Sequence, residues 1–145
     1  MLYVVTGPPA AGKSSWIDAH AKPEDIVIDL DRIAMSLSGP GAPNWNQGEL
    51  IVRVAQRARY AAMDEAIQHL DRLDVYLIHT MPNPKAMAKY KRLNARIVAV
   101  DPGREVVMKR IAAMRSPAME GVATRWYNAR RRQSVTGMPQ SSRRW

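Results

Sequence analysis

Eight residues near the start of the chain carry its most specific chemistry. Gly7-Pro8-Pro9-Ala10-Ala11-Gly12-Lys13-Ser14 matches the pattern G-x-x-x-x-G-K-[ST] at every fixed position. Glycines let the backbone wrap tightly, so that successive N–H groups point inward at an anion. A helix opening directly after the loop adds the partial positive charge of its N-terminus. Lys13 supplies a mobile cation for the β- and γ-phosphates of a nucleoside triphosphate, and the Ser14 hydroxyl suits Mg²⁺. ATP with Mg²⁺ is therefore the expected ligand pair, held by these eight residues together with Ser15.

The next candidates are Asp29 and Asp31, two carboxylates at i and i+2 in Asp29-Leu30-Asp31-Arg32. Near phosphates, such a pair suits a metal ligand and a base that takes the proton of an acceptor hydroxyl. Asp31, further out along the chain, is the expected base, and Asp29 the expected metal ligand beside Ser14. The competing reading is that, if residues 30–37 form a helix, Asp29 or Asp31 merely caps it. A third group is basic: Lys109, Arg110 and Arg115 lie in a helical pattern, where arginines neutralise charge on a transferring phosphoryl group. The run Val75-Tyr76-Leu77-Ile78-His79-Thr80 ends without the Asp or Glu expected of a motor ATPase, so nothing obvious positions a hydrolytic water. A kinase does not need that group, because its nucleophile is the substrate hydroxyl.

These residues need elements to hold them. Residues 2–6, 25–29, 75–79 and 96–101 are short apolar, β-branched runs and read as buried strands. Residues 13–20, 30–37, 49–70, 84–92, 104–114 and 119–133 read as helices, and Ser38-Gly39-Pro40-Gly41-Ala42-Pro43-Asn44 as a break. Residues 134–145 lack a periodic pattern and are expected to form an extended tail after a single domain over 1–133. Strands alternating with helices predict a three-layer α/β fold around a mostly parallel sheet of about four to five strands. Ligands of such sheets bind at the carboxyl ends of the strands, which puts the loop, Asp29, Asp31, His79, Thr80 and Asp101 on one rim.

The chain has 145 residues, room for one compact core. It has no cysteine, which excludes a disulfide framework, a thiol nucleophile and a Cys-based zinc site. No apolar run approaches membrane-spanning length, and the first residues show no basic leader, so a cytoplasmic protein without membrane contact is expected. The net charge of +9 is lopsided: from Arg104 onward ten basic residues face two acidic ones, a balance of +8. That field implies a polyanionic partner for the last third of the chain: nucleotide phosphates, a nucleic acid (DNA or RNA), or both.

The loop, Ile28-Asp29-Leu30-Asp31-Arg32 and Val107-Met108-Lys109-Arg110-Ile111-Ala112-Ala113-Met114-Arg115 together resemble the kinase domain of bacteriophage polynucleotide 5′-hydroxyl kinases and related small phage P-loop kinases. The likeness covers about residues 2–133. It implies a P-loop kinase-like fold and transfer of the ATP γ-phosphoryl to a hydroxyl acceptor, a nucleic-acid 5′-end or a nucleoside or nucleotide. Lys13, Asp31, Arg110 and Arg115 correspond to the family's catalytic lysine, general base and two lid arginines. Ala34 stands where the family has an acceptor-binding arginine, and His79 where an aspartate supports it, so the resemblance implies a changed acceptor site. The competing reading is a nucleotide-dependent module that binds nucleic acid or protein without transferring phosphate.

Overall fold

A computed structural model describes residues 1–43, 47–114 and 116–141, with the backbone alone for 133–141. Four strands, β1 (Leu2–Thr6), β2 (Ile26–Ile28), β3 (Val75–Ile78) and β4 (Arg96–Ala99), form one sheet in the order β2-β3-β1-β4. All its pairings are parallel, with Val4 opposite Leu77 and Ile97, and Ile28 opposite Leu77. Short apolar runs of this kind make a sheet buried on both faces, because each crossover packs a helix on one face or the other.

The helices are α1 (Lys13–His20), α2 (Leu30–Leu37), α3 (Glu49–Ala66), α4 (Pro84–Arg92), α5 (Arg104–Met114) and α6 (Pro117–Ser141). Strand side chains alternate faces. Leu2, Val4, Val75 and Leu77 join Ile28, Ile33, Met63, Met87 and Tyr90 in one core, covered by α2, α3 and α4. Val5, Tyr76 and Ile78 turn the other way, onto Ile17 and Trp16 of α1. A smaller cluster of Ala11, Val107, Ile111 and Ala123 packs α5 and α6 against the P-loop. The expected three-layer α/β architecture is what the chain adopts.

Most boundaries fall where the local signals put them. Asp29 caps α2, Asn83 caps α4 by accepting from the Ala86 N–H at 2.8 Å, and Pro84 opens α4 at a position where its missing donor costs nothing. The stretch expected as one helix to Leu70 ends at Ala66 and tightens into a 3₁₀ turn, Ile67–His69. The largest departure is at the C-terminal end. The tail expected to be extended from Ser134 instead continues α6 to Ser141. No glycine or proline stands between Arg125 and Thr136, so nothing stops the helix there, and Gly137 and Pro139 fall only in its last turns. Residues 142–145 lie outside the described residues.

Candidate phosphate-binding site

β1 lies inside the sheet, with β3 on one side and β4 on the other, and the P-loop leaves its carboxyl end. Gly7 sits at φ 147°, and a Cβ there would come 2.1 Å from the Val100 carbonyl oxygen. Only glycine fits this turn, because β4 runs directly alongside. The Gly7 N–H donates to the Thr80 carbonyl at 3.3 Å, which ties the loop to the end of β3. Gly12, at φ 100°, takes the left-handed turn that starts α1, and Ala10 takes a left-handed conformation at φ 59°.

Lys13 folds back over this loop. Its Nζ donates to the carbonyls of Gly7 at 2.8 Å and Pro8 at 2.6 Å. Burial pushes its pKa down to about 8, against the opposing pull of Asp29 and Asp31. The two aspartates divide the roles their spacing left open. Asp29, buried at the end of β2, caps α2 by accepting from the Asp31 N–H at 3.0 Å. Asp31 lies in the first turn of α2, and its pKa is raised by burial first and by the Asp29 charge second, with Lys13 pulling it back. A carboxylate lifted this way is a better proton acceptor than an ordinary one.

One cavity of about 740 Å³ collects these groups. It is lined by Pro9, Ala10, Ala11, Gly12, Lys13, Ser14 and Ser15 of the loop, by Asp29 and Asp31, by Ile78 and Thr80 of the β3 end, and by Arg110. Ala113, Met114 and Met119 close it with an apolar wall that sequence reasoning did not single out. Arg110 also donates to the Ala10 carbonyl at 3.0 Å, so α5 is pinned to the loop by the side chain expected to meet phosphate. Pro8, completely buried, does not line the cavity and contributes its carbonyl to Lys13 instead. Arg115, the second arginine expected here, lies outside the described residues. Among the described residues no three His, Asp or Glu side chains gather into an all-protein metal site. Ser14 and Asp29 both line the cavity, and a hydroxyl and a carboxylate are oxygen donors of the kind Mg²⁺ takes alongside phosphate oxygens and water.

Two other rim residues sit differently from the loop. Asp101 accepts from the Tyr127 hydroxyl at 2.7 Å, which holds α6 against the end of β4. Trp126 of α6 donates its Nε1–H to the Thr80 carbonyl at 2.9 Å, and Arg130 lies over its ring at 5.1 Å. His79 is absent from the cavity lining. Strand alternation sends it to the α3–α4 side, where its Nδ1 meets the Tyr90 hydroxyl at 2.7 Å. Burial and the nearby Arg59 charge push its pKa down to about 4. Ala34, 1% exposed, is a core residue of α2. Neither Arg59, Tyr90 nor Trp126 carries a local signal, since each is one side chain in an ordinary helical pattern.

Comparison of the sequence with protein-family models and with curated proteins found no match.

Proposed function

We propose that this chain is an ATP-dependent phosphotransferase of the small P-loop kinase kind, acting on a hydroxyl acceptor. The observation that supports it best is the single cavity in which the P-loop, Asp29, Asp31 and Arg110 meet. In this reading the loop N–H groups and Lys13 hold the β- and γ-phosphates, and Lys13 exchanges its bonds to Gly7 and Pro8 for phosphate oxygens. Ser14 and Asp29 would hold a Mg²⁺ ion, which would supply charge neutralisation for the phosphates when bound. Asp31 accepts the acceptor's hydroxyl proton as that oxygen bonds to the γ-phosphorus and ADP departs, while Arg110 faces the transferring group. Incubating the protein with γ-labelled ATP, Mg²⁺ and a panel of 5′-hydroxyl oligonucleotides, nucleosides and nucleotides tests this directly. Label transferred to one acceptor class supports it. Label retained by ATP, or released only as phosphate, across the whole panel refutes it.

A nucleic-acid 5′-end is the acceptor favoured by the charge distribution, since Arg125, Arg130, Arg131 and Arg132 are all exposed on α6. Three consecutive helical positions spread over about 200° of the helix surface, so one nucleotide cannot satisfy all three. The same surface supports a second reading, a nucleotide-dependent module that holds nucleic acid without transferring phosphate. A gel-shift titration at several salt concentrations separates the readings from a small-molecule kinase. Replacing Arg130, Arg131 and Arg132 by Gln is expected to weaken binding and flatten its salt dependence by roughly 0.9 for each phosphate no longer neutralised. No binding by the unaltered protein at low salt would remove the nucleic-acid partner.

A further inference from the structure

The two faces of the sheet are covered unequally. Three helices, α2, α3 and α4, close one face, whereas the apolar cluster on the other takes its helical side chains from α1 and the residue that caps it. α1 has only eight residues and leaves a row of flat groups along the sheet toward β4. The His20 ring stacks on Trp16, with centroids 3.9 Å apart and planes within 15°. Trp16 meets Tyr3 at 6.4 Å, and Tyr3 stacks on the buried Tyr76 at 4.8 Å. The Arg96 guanidinium of β4 lies over the Tyr3 ring at 5.9 Å.

The row therefore ends in a flat, exposed group on each side. His20 and Arg96 are exposed, while Trp16 and Tyr3 stand half-buried behind them. His20 Nδ1 donates to the Trp16 carbonyl at 2.6 Å, which holds the imidazole on the indole. A planar group already held against an aromatic ring loses little freedom when another flat molecule stacks on its outer side. The surroundings suit an anion. Among the described residues no carboxylate forms an ion pair with Arg96. The carboxylates that act on the Tyr76 hydroxyl, Asp25 and Asp74, are engaged. Asp25 accepts from the Lys22 and Asp74 N–H groups, and Asp74 pairs with the Met1 amine. Stacking planes beside a free cation, in a chain of net charge +9, match the way proteins hold single strands: bases stack on the planes and phosphates meet the charge.

From this geometry we propose that the α1–β1–β4 face is a docking surface for the unpaired bases of a single-stranded nucleic acid. His20 and Arg96 are its contact residues, and Trp16 and Tyr3 the supports that keep them flat. The surface is distinct from the α6 arginines and does not depend on phosphate transfer. A duplex is a poor occupant, because its bases are already stacked on one another.

Two strands of equal length separate stacking from charge: an oligothymidylate, and an abasic strand with the same phosphates and no bases. Fluorescence anisotropy of labelled strands at low salt should show the oligothymidylate binding about 5- to 100-fold more tightly, the worth of one stacked base. His20→Ala is expected to erase most of that preference while leaving abasic affinity and the salt dependence unchanged. Arg96→Gln should lower the preference and flatten the salt dependence by roughly 0.7, the single-strand value for one phosphate. Arg96→Lys keeps the charge and should restore the salt dependence. All three changes fall on exposed side chains, and an unaltered circular dichroism spectrum checks that the fold survives. Irradiating the complex with a 5-bromouracil strand should place adducts on the peptide that carries Trp16 and His20. No binding of either strand, equal binding of both by the unaltered protein, an equal loss for both in His20→Ala, or adducts confined to α6 would each overturn the surface. A protein that transfers no label yet keeps the His20-dependent preference retains the surface and loses only the phosphotransferase reading.

Discussion

The P-loop and the α5–α6 pair meet in one cavity but are built by different means. The loop works through its backbone: Gly7 is forced by the Val100 carbonyl, Gly12 by a left-handed turn, and Lys13 closes over the loop's own carbonyls. The helix pair is held by separate side-chain contacts, Arg110 to Ala10, Trp126 to Thr80 and Tyr127 to Asp101, above a small cluster of buried apolar side chains. A backbone device tolerates few residue types, and losing one glycine damages all of it. A side-chain device degrades one bond at a time, each worth on the order of 1 kcal/mol.

The sharpest test of that contrast removes chemistry without touching either structure. Asp31→Asn is isosteric; on the proposed phosphotransferase reading it should lower phosphoryl transfer by about 10²- to 10⁴-fold, as loss of a positioned base does, with ATP affinity nearly unchanged by calorimetry. If Asp29→Asn is the crippling change and Asp31→Asn the mild one, the two carboxylates exchange roles. On the proposed reading Lys13→Ala should follow at roughly 10²- to 10³-fold, with the protein still folded by circular dichroism, because a half-exposed lysine is lost and not a core residue.

The same two groups predict a pH profile. Lys13 is charged below its depressed pKa of about 8, so kcat/KM should fall as pH rises through about 8, earlier than an ordinary lysine would allow. Asp31 is a base only when ionised, and its pKa is raised, so the acid-side loss should begin above the ordinary carboxylate range. In Asp31→Asn the acid limb should vanish from the residual activity.

Gly7→Ala probes the backbone device. The added Cβ meets a carbonyl with no room to yield, and the left-handed φ adds strain, so a loss of about 1–3 kcal/mol in stability and of ATP binding together is expected from denaturant titration. Trp126→Phe probes the side-chain device and should do least. It removes one N–H donor to Thr80 at about 1 kcal/mol, with ATP affinity changed by only a few-fold. A Trp126→Phe variant that loses ATP binding as completely as Gly7→Ala would break the comparison and make α6 part of the loop's own scaffold.

Much of this is legible in the chain. The strand runs, the caps at Asp29 and Asn83 and the loop pattern are local signals, and they specify four strands and five of the six helices to within a few residues. The α6 extension is not legible, because a segment without an apolar face gives no periodicity to read while still lacking a stop before Gly137. Asp29 and Asp31 stand out as a pair, yet only the structure separates them: the cap goes to Asp29 because β2 ends on it, and Asp31 is left facing Lys13. His79 stands at the rim, as its place after β3 predicts, but faces away from the cavity, since one step along a strand reverses the face.

What the sequence determined alone is the glycine-containing loop at 7–14 and the parallel α/β frame, because both follow from residues close together in the chain: a glycine turn, a helix start, an alternation of short strands and helices. Only the tertiary structure decided which side chains surround that loop. The apolar wall of Met114 and Met119, the Trp126 bond to Thr80, and the Arg59 guanidinium beside His79 all join residues far apart in sequence. Their helices are interchangeable with many others by local pattern, and it is the β2-β3-β1-β4 order that brings those particular faces to the rim.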